Sequence, residues 1–429
     1  MLISFSVKNF KSIKEESILF LEAENIDGIH SDNIAYPDSK KTIPVLRTAG
    51  IWGANASGKS NFLAALECLQ NFVEFSHQND LDKPIVEYHP FKLDSDNSKS
   101  PTFFKLDFVG RDKKRYVYTV EFDRDKVNYE SLEFYASAKP SALFTREVTN
   151  GKLSLKFGSK LSGIKRFSCR ANQSYLSVAG NTENSSTQIK DVFRFIRDDI
   201  NIISNHMFMF SPKILQNTQY LNALAALLAC ADTGISEVSV EEKKLDLNQL
   251  PENLPEEIKQ QFLNDFKYQP VFRHNNHSAS FSLANESAGT RRLYDIAPML
   301  LLGIPQGKIW IIDEIDSMLH PYILELIVYL FHDRTININN PQLIFTTHCT
   351  ALMNSDIFRR DQIYFTQKDK NGTSELNCLE QYPVRADANF EKWYRDERFG
   401  AVPKIKYDDL RKVIGTIKVD IEHVGGENA

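Results

Sequence analysis

Gly53-Ala54-Asn55-Ala56-Ser57-Gly58-Lys59-Ser60 fits the pattern G-x-x-x-x-G-K-[ST] without deviation. Such spacing suits the cradling of a polyphosphate. The glycines let the backbone fold tightly with its N–H groups pointing inward. A helix starting at the loop's end adds partial positive charge. Lys59 would reach the β- and γ-phosphates, and Ser60 would offer a hydroxyl to Mg²⁺. The loop and the residue after it, Asn61, are therefore the expected binding surface for ATP. A second group lies far along the chain. Lys308-Ile309-Trp310-Ile311-Ile312 is an apolar run that ends in Asp313-Glu314. At the end of a buried strand Asp313 would hold Mg²⁺, directly or through water, and Glu314 would orient or deprotonate the attacking water.

Two further features complete a catalytic set. Glu286-Ser287-Ala288-Gly289-Thr290-Arg291-Arg292-Leu293 precedes apolar residues at helical spacing (Leu293, Ile296, Met299, Leu300). Ser287 is a good helix N-cap, and Gly289 permits close approach of a ligand to the helix start. His348 closes the run QLIFTTH and is expected to face the γ-phosphate from the end of a neighbouring strand.

The elements that must position these residues follow from the patterning. Strands are expected at Leu2–Lys8, Ser17–Glu22 and Val45–Gly50, then a helix with Phe62, Leu63, Leu66 and Leu69 on one face. The stretches TFFKLDFV, RYVYTVEFD and VNYESLEFY within 101–135 alternate like an antiparallel sheet with one wet face. Residues 190–265 read as mainly helical, with Tyr220–Cys230 buried. From Phe281 onward helix and strand alternate, which predicts a mixed sheet covered by helices. The expected division is 1–135 for the first half of the head with the loop and a β-lobe, and 136–270 for an inserted, mainly helical domain. Residues 271–403 then form the second half of the head, and 404–429 a charged tail.

Composition sets outer bounds. The chain has 429 residues and a net charge of −5, which gives no global pull toward nucleic acid or anionic membrane. No apolar run approaches the roughly 20 residues of a membrane span, and the N-terminus lacks a leader pattern. Five cysteines, Cys68, Cys169, Cys230, Cys349 and Cys378, have neither metal-type nor disulfide-type spacing, as expected for a cytoplasmic protein.

In their order, the phosphate loop, the S-x-G helix start, the apolar-DE strand and the strand-terminal His resemble an ATP-binding-cassette ATPase of the SMC, RecF and break-repair branch. In that family two heads sandwich two ATP molecules. The resemblance therefore implies a homodimer or higher homo-oligomer in which Ser287 and Gly289 act on the partner's nucleotide. A finer likeness rests on F-x-V-x-N-F-K-S, HPFKLD, SAGTRRL, DEID followed by LHP, and TTH, which resemble the overcoming-lysogenization-like ATPases. RRDQIYF, SELNCL and WYRDERFGAVP are similar to the RloA and AbiLi abortive-infection group, relatives of the AriA defence ATPase. Met318, Cys349, Arg395 and Glu397 depart from that group's pattern, and no glutamine loop is assignable.

About 225 residues separate Ser60 from Ser287 and lack the consecutive heptads of a coiled coil. About 80 residues follow His348, too few for the toprim nuclease domain of the overcoming-lysogenization nucleases. The fold expected is α/β, a P-loop NTPase head of SMC/RecF type with an antiparallel β-lobe, an inserted helical domain and no coiled coil. Two functions compete. One is a sensor or regulator ATPase in an anti-phage system whose toprim- or nuclease-like effector is a separate chain. The other is a RecF-like repair ATPase that clamps DNA, kept alive by the basic run Arg111, Lys113, Lys114 and Arg115.

Overall fold

The structure is a computed structural model that describes residues 1–24, 30–137, 139–149, 152–161, 166–204, 212–242, 259, 267–275, 277–385, 388–403 and 406–416. The chain begins with β1 (Leu2–Lys8), β2 (Ser17–Phe20), β3 (Ile34–Ala35), β4 (Val45–Leu46), β5 (Thr48–Gly53) and α1 (Lys59–Phe75). An antiparallel run follows: β6 (Thr102–Val109), β7 (Arg115–Phe122), β8 (Val127–Phe134), β9 (Ser141–Thr149) and β10 (Lys152–Phe157). Next come α2 (Tyr175–Gly180), α3 (Thr187–Arg194), β11 (Ile200–Ile203), α4 (Thr218–Cys230), β12 (Ile235–Glu242), β13 (Tyr268–His274) and β14 (Ser280–Ser282). The last third holds α5 (Ala288–Pro298), β15 (Ile309–Ile312), α6 (Pro321–His332), β16 (Gln342–Thr346), β17 (Ile363–Lys368), β18 (Ser374–Cys378), α7 (Phe390–Arg395) and α8 (Tyr407–Thr416).

Two large sheets carry the fold. The first is antiparallel, in the order β10-β9-β8-β7-β6-β1-β2. The second runs β11-β15-β16-β5-β17-β18 and is parallel except for β18. Helix α1 fills the space between them, because its apolar residues meet strands of both. Phe62 meets Phe5 of β1 at 5.6 Å, Phe72 stacks on Phe122 of β7 at 4.5 Å, and Ile51, Ile311 and Ile344 of the parallel sheet share the same core. The opposite face of the parallel sheet is covered by α5 and α6 around Trp52, Trp310 and Phe345. Gln342 ties the sheets together. Its side chain accepts from the Leu2 N–H at 2.7 Å and donates to the carbonyls of Leu2 (3.0 Å) and Leu46 (2.9 Å).

Strand, loop and helix positions around the motifs agree with the patterning, but the middle of the chain does not. Strands β9 and β10 extend the antiparallel lobe beyond residue 135, and β11 is the edge strand of the parallel sheet. β12, β13 and β14 form a small sheet of their own. The described residues of the expected mainly helical insertion at 136–270 thus hold strands (β9 to the start of β13) as well as helices (α2 to α4). INII and ISEVSVEE are β-branched runs that follow turn residues (Asp198-Asp199, Asp232-Thr233-Gly234), and that signal outweighs the neighbouring Ala/Leu-rich stretch. That stretch is not buried throughout either. In α4 the buried residues are Tyr220, Leu224 and Leu228, one stripe at a spacing of four.

The lobe is anchored by a buried ion pair. Glu130 of β8 accepts from Tyr118 Oη, Ser174 Oγ and the backbone N–H groups of Tyr175 and Leu176, which cap α2. Arg146 of β9 lies 3.4 Å from Glu130 and donates to the carbonyls of Gln173 and Arg170. Among the described residues no helix is long and apolar enough to cross a membrane. The longest helix used here, α1, has 17 residues, and no coiled coil occurs among the described residues.

Candidate functional site

Register brings the predicted residues to one edge. Ile312 pairs with Phe345, and Thr346 pairs with Ile51, so β15, β16 and β5 end together. Asp313-Glu314, Thr347-His348 and the loop after Gly53 all leave the carboxyl edge of the parallel strands, where ligands bind in open α/β sheets.

The loop from Gly53 to Gly58 has left-handed backbone at Ala56 (φ 61°) and Gly58 (φ 115°). Glycine is needed at 58 for a second reason, because a Cβ there would strike the Ser374 side chain. Lys59 is buried, and its Nζ donates to the loop carbonyls of Gly53 (2.8 Å) and Ala54 (3.1 Å). Burial lowers its pKa, while Asp313, Glu314 and Asp316 pull the other way. Ser57 Oγ meets Thr366 Oγ1 at 2.5 Å, and the Ala54 N–H donates to the Ala401 carbonyl at 3.0 Å. Strand β17 and the segment after α7 therefore brace the loop.

Ser60 and Asp313 line one cavity of about 190 Å³, together with Lys11, Asn61, Leu63, Ala64, Glu67, Ile202, Ile203 and Ser204. An alcohol and a carboxylate are hard oxygen donors that fit Mg²⁺. Among the described residues no group of three or more His, Cys, Asp or Glu could hold a metal ion. Thr346 Oγ1 donates to Asp313 Oδ1 at 2.5 Å and accepts from the Glu314 N–H at 2.7 Å. One hydroxyl thereby fixes both acids. Glu314 itself sits at φ 49°, a costly backbone for a non-glycine residue. The His348 N–H donates to Asp316 Oδ2 at 3.1 Å. Burial, then the Lys59 charge, lowers the His348 pKa below its ordinary value, so the ring is neutral near pH 7.

Ser287 caps α5, with its Oγ accepting from the Thr290 N–H at 3.1 Å. It is exposed, and neither it nor Gly289 lines the cavity of Ser60 and Asp313. Gly289 instead lies against the turn after β15, where a Cβ would come 3.0 Å from the Met318 carbonyl oxygen.

Motif reading missed the contribution of the N-terminal turn. Lys11 lines the cavity, and Ser12 Oγ accepts from Asn61 Nδ2 at 2.8 Å and meets Ser374 Oγ at 2.8 Å. The F-K-S sequence was the available signal. Glu67 and Ser204, paired at 3.2 Å, had no sequence signal beyond the position of Glu67 one helical face along from Ser60. Tyr394 and Phe399, within the WYRDERFGAVP segment, are buried and stack on Phe365 at 5.6 and 4.9 Å. The basic run of the 110–115 turn is largely neutralised: Arg111 pairs with Asp199 (2.6 Å), Lys114 with Asp112 (2.9 Å) and Arg115 with Asp107 (2.6 Å). These partners offset much of the positive charge on which the DNA-clamp alternative drew.

A family described as "AAA domain, putative AbiEii toxin, Type IV TA system" matches residues 49–354. No curated protein matches the chain. Among solved structures, the chain is similar to the SMC head domain from Thermotoga maritima at 15% identity and TM-score 0.39, covering 88% of this chain and 98% of that one. It is also similar to the Smc head with an extended coiled coil, bound to the C-terminal domain of ScpA, from Pyrococcus furiosus (11%, TM-score 0.44, 89% and 97%). A third is the recombination mediator RecF with ATP (12%, TM-score 0.35, 88% and 99%). In architecture the chain is an α/β head with a phosphate loop, a largely parallel sheet joined to an antiparallel lobe.

Proposed function

Since the chain belongs to the AAA-domain family described as putative AbiEii toxins of type IV TA systems, we propose that it binds ATP with Mg²⁺ and hydrolyses it to control a separately encoded effector in a bacterial anti-phage, abortive-infection response. The observation that carries the ATPase reading is the common edge. One parallel sheet presents the phosphate loop, the Asp313-Glu314 pair and His348 together, with Ser60 and Asp313 in a single cavity.

In this reading the Ala56–Ser60 backbone N–H groups hold the phosphates, and Lys59 exchanges its loop carbonyls for the β/γ oxygens. Ser60 and Asp313 would hold Mg²⁺, which would supply positive charge against that developing on the phosphates. Glu314, fixed through Thr346, takes the proton of the attacking water. His348, uncharged, donates a hydrogen bond toward the γ-phosphate. Ser287 and Gly289, outside this cavity, cap the nucleotide of a second copy, making the working unit a homodimer or higher homo-oligomer.

The defence role is tested in cells. The native gene with its neighbouring effector gene should protect against a susceptible phage, and Lys59→Ala or deletion of the effector gene should each abolish protection. Protection by this chain alone would contradict the two-component reading.

A further inference from the structure

Helix α5 carries a charge that this scheme does not use. Arg292 is 4% exposed, and its Nε and Nη2 are buried without a hydrogen-bond partner. It stands three residues after Gly289, so both occupy the same face of α5. That face meets the turn after β15 at Met318. The turn holds a matching unsatisfied group. Asp316 accepts the His348 N–H through Oδ2, while its Oδ1 is buried with no partner. The negative charges of Asp295, Asp316 and Glu314 act on Arg292, but burial outweighs them. A buried cation and a buried carboxylate oxygen, each unpaired and within electrostatic reach, form a costly arrangement. The turn between them is also strained, with Glu314 at φ 49° and Met318 at φ 63°. The cost of the two unpaired groups would fall if the turn shifted so that they meet.

We propose that Arg292 is a positioning residue that closes onto the free Oδ1 of Asp316 when the ATP of a second copy engages Ser287 and Gly289. Resting on the two-copy ATPase reading, this makes α5 a relay. The partner's nucleotide moves the start of α5, Arg292 draws in Asp316, and Asp316 moves His348 by its backbone and Glu314 by their shared turn. Each site then fires only when the opposite one is loaded, and ATP turnover is cooperative.

The test uses Arg292→Met, which keeps length without charge, together with Arg292→Lys, Asp316→Asn and the double variant Arg292→Met/Asp316→Asn. Melting temperature without nucleotide, ATP affinity by calorimetry, kcat and the Hill coefficient are read for each. Arg292→Met should melt no lower than wild type, because it removes an unpaired buried charge. Its ATP affinity should stay near wild type, while kcat falls on the order of 10-fold, the size of a typical coupling between sites, and the Hill coefficient drops to one. Arg292→Lys should recover part of the rate. The double variant should be no slower than the slower single variant. A lower melting temperature with kcat and cooperativity intact would make Arg292 a structural residue and overturn the inference, as would losses that multiply in the double variant. Wild-type turnover, measured alongside, tests the ATPase reading separately, and an active wild type with an equally active, equally cooperative Arg292→Met sinks only the relay.

Discussion

Arg146 in the antiparallel lobe and Arg292 beside the parallel sheet are both almost fully buried, at 1% and 4% exposure. The lobe surrounds its arginine with Glu130 and two carbonyls, leaving only Nε unpaired, and Glu130 in turn collects four donors. The nucleotide-facing edge leaves two nitrogens of Arg292 and one oxygen of Asp316 unpaired, and holds Ala56, Glu314 and Met318 at positive φ. In the lobe, pairing within the chain leaves only that one nitrogen of the ion pair, Arg146 Nε, without a partner. Under the proposed two-copy ATPase reading, a site that receives phosphates, Mg²⁺ and a second copy keeps part of its polar capacity and some backbone strain in reserve.

Substitutions at the two regions should separate turnover from stability. The largest effect is expected at Glu314. Glu314→Gln should slow ATP hydrolysis by about 10² to 10⁴ while ATP still binds in calorimetry, and wild-type turnover would show that the base has been misassigned. In the lobe the cost moves to folding. Glu130→Ala strands Arg146 and should destabilise the chain by about 3–5 kcal/mol in denaturant titrations, with ATP affinity of the folded fraction unchanged.

An effect that appears only on acidification comes from His332 at the end of α6, on the covered face of the parallel sheet. Burial, helped by Arg47 and His30, pushes its pKa down to about 3, and Nε2 meets Thr48 Oγ1 at 2.8 Å. Below the ordinary value near 6.5 the unfolded chain takes up a proton that the folded chain refuses. Stability from this residue is therefore complete above pH 6.5 and is lost as pH falls toward 3, by about 1.4 kcal/mol per unit. His332→Asn should flatten the stability profile over that window. The smallest effect is expected at the lobe's basic turn. Arg111→Ala removes a half-exposed ion pair with Asp199 and should change stability by less than about 1 kcal/mol, with no change in binding to duplex DNA. A clear loss of DNA affinity would revive the clamp reading.

What could be read from sequence follows the same division. The phosphate loop, Asp313-Glu314 and His348 were legible because their chemistry depends on residue types at fixed spacings next to apolar strands. Lys11 and Ser12, on the turn after β1, and Ser374, at the start of β18, reach the loop through tertiary pairings such as β17 with β5 and β18 with β17, and short spacing rules do not encode those. The middle of the chain misled because Ala/Leu content in α4 signals helix, while INII and ISEVSVEE needed their turn residues to be read as strands. The burial of Tyr394 and Phe399 was not legible, because composition does not distinguish an aromatic stacked on Phe365 from one facing a partner.

The central claim is that a complete site draws its loop and Glu314 from one copy and Ser287 with Gly289 from another. Mixing two inactive chains tests it most directly. Ser287→Arg retains Glu314, and Glu314→Gln retains the cap on α5, so the mixed dimer contains one intact composite site. ATP hydrolysis should be negligible for each chain alone and should reappear on mixing, to about a quarter of the wild-type rate if copies pair at random. A mixture as inactive as its parts, with both chains folded and each still binding ATP, would contradict the composite site.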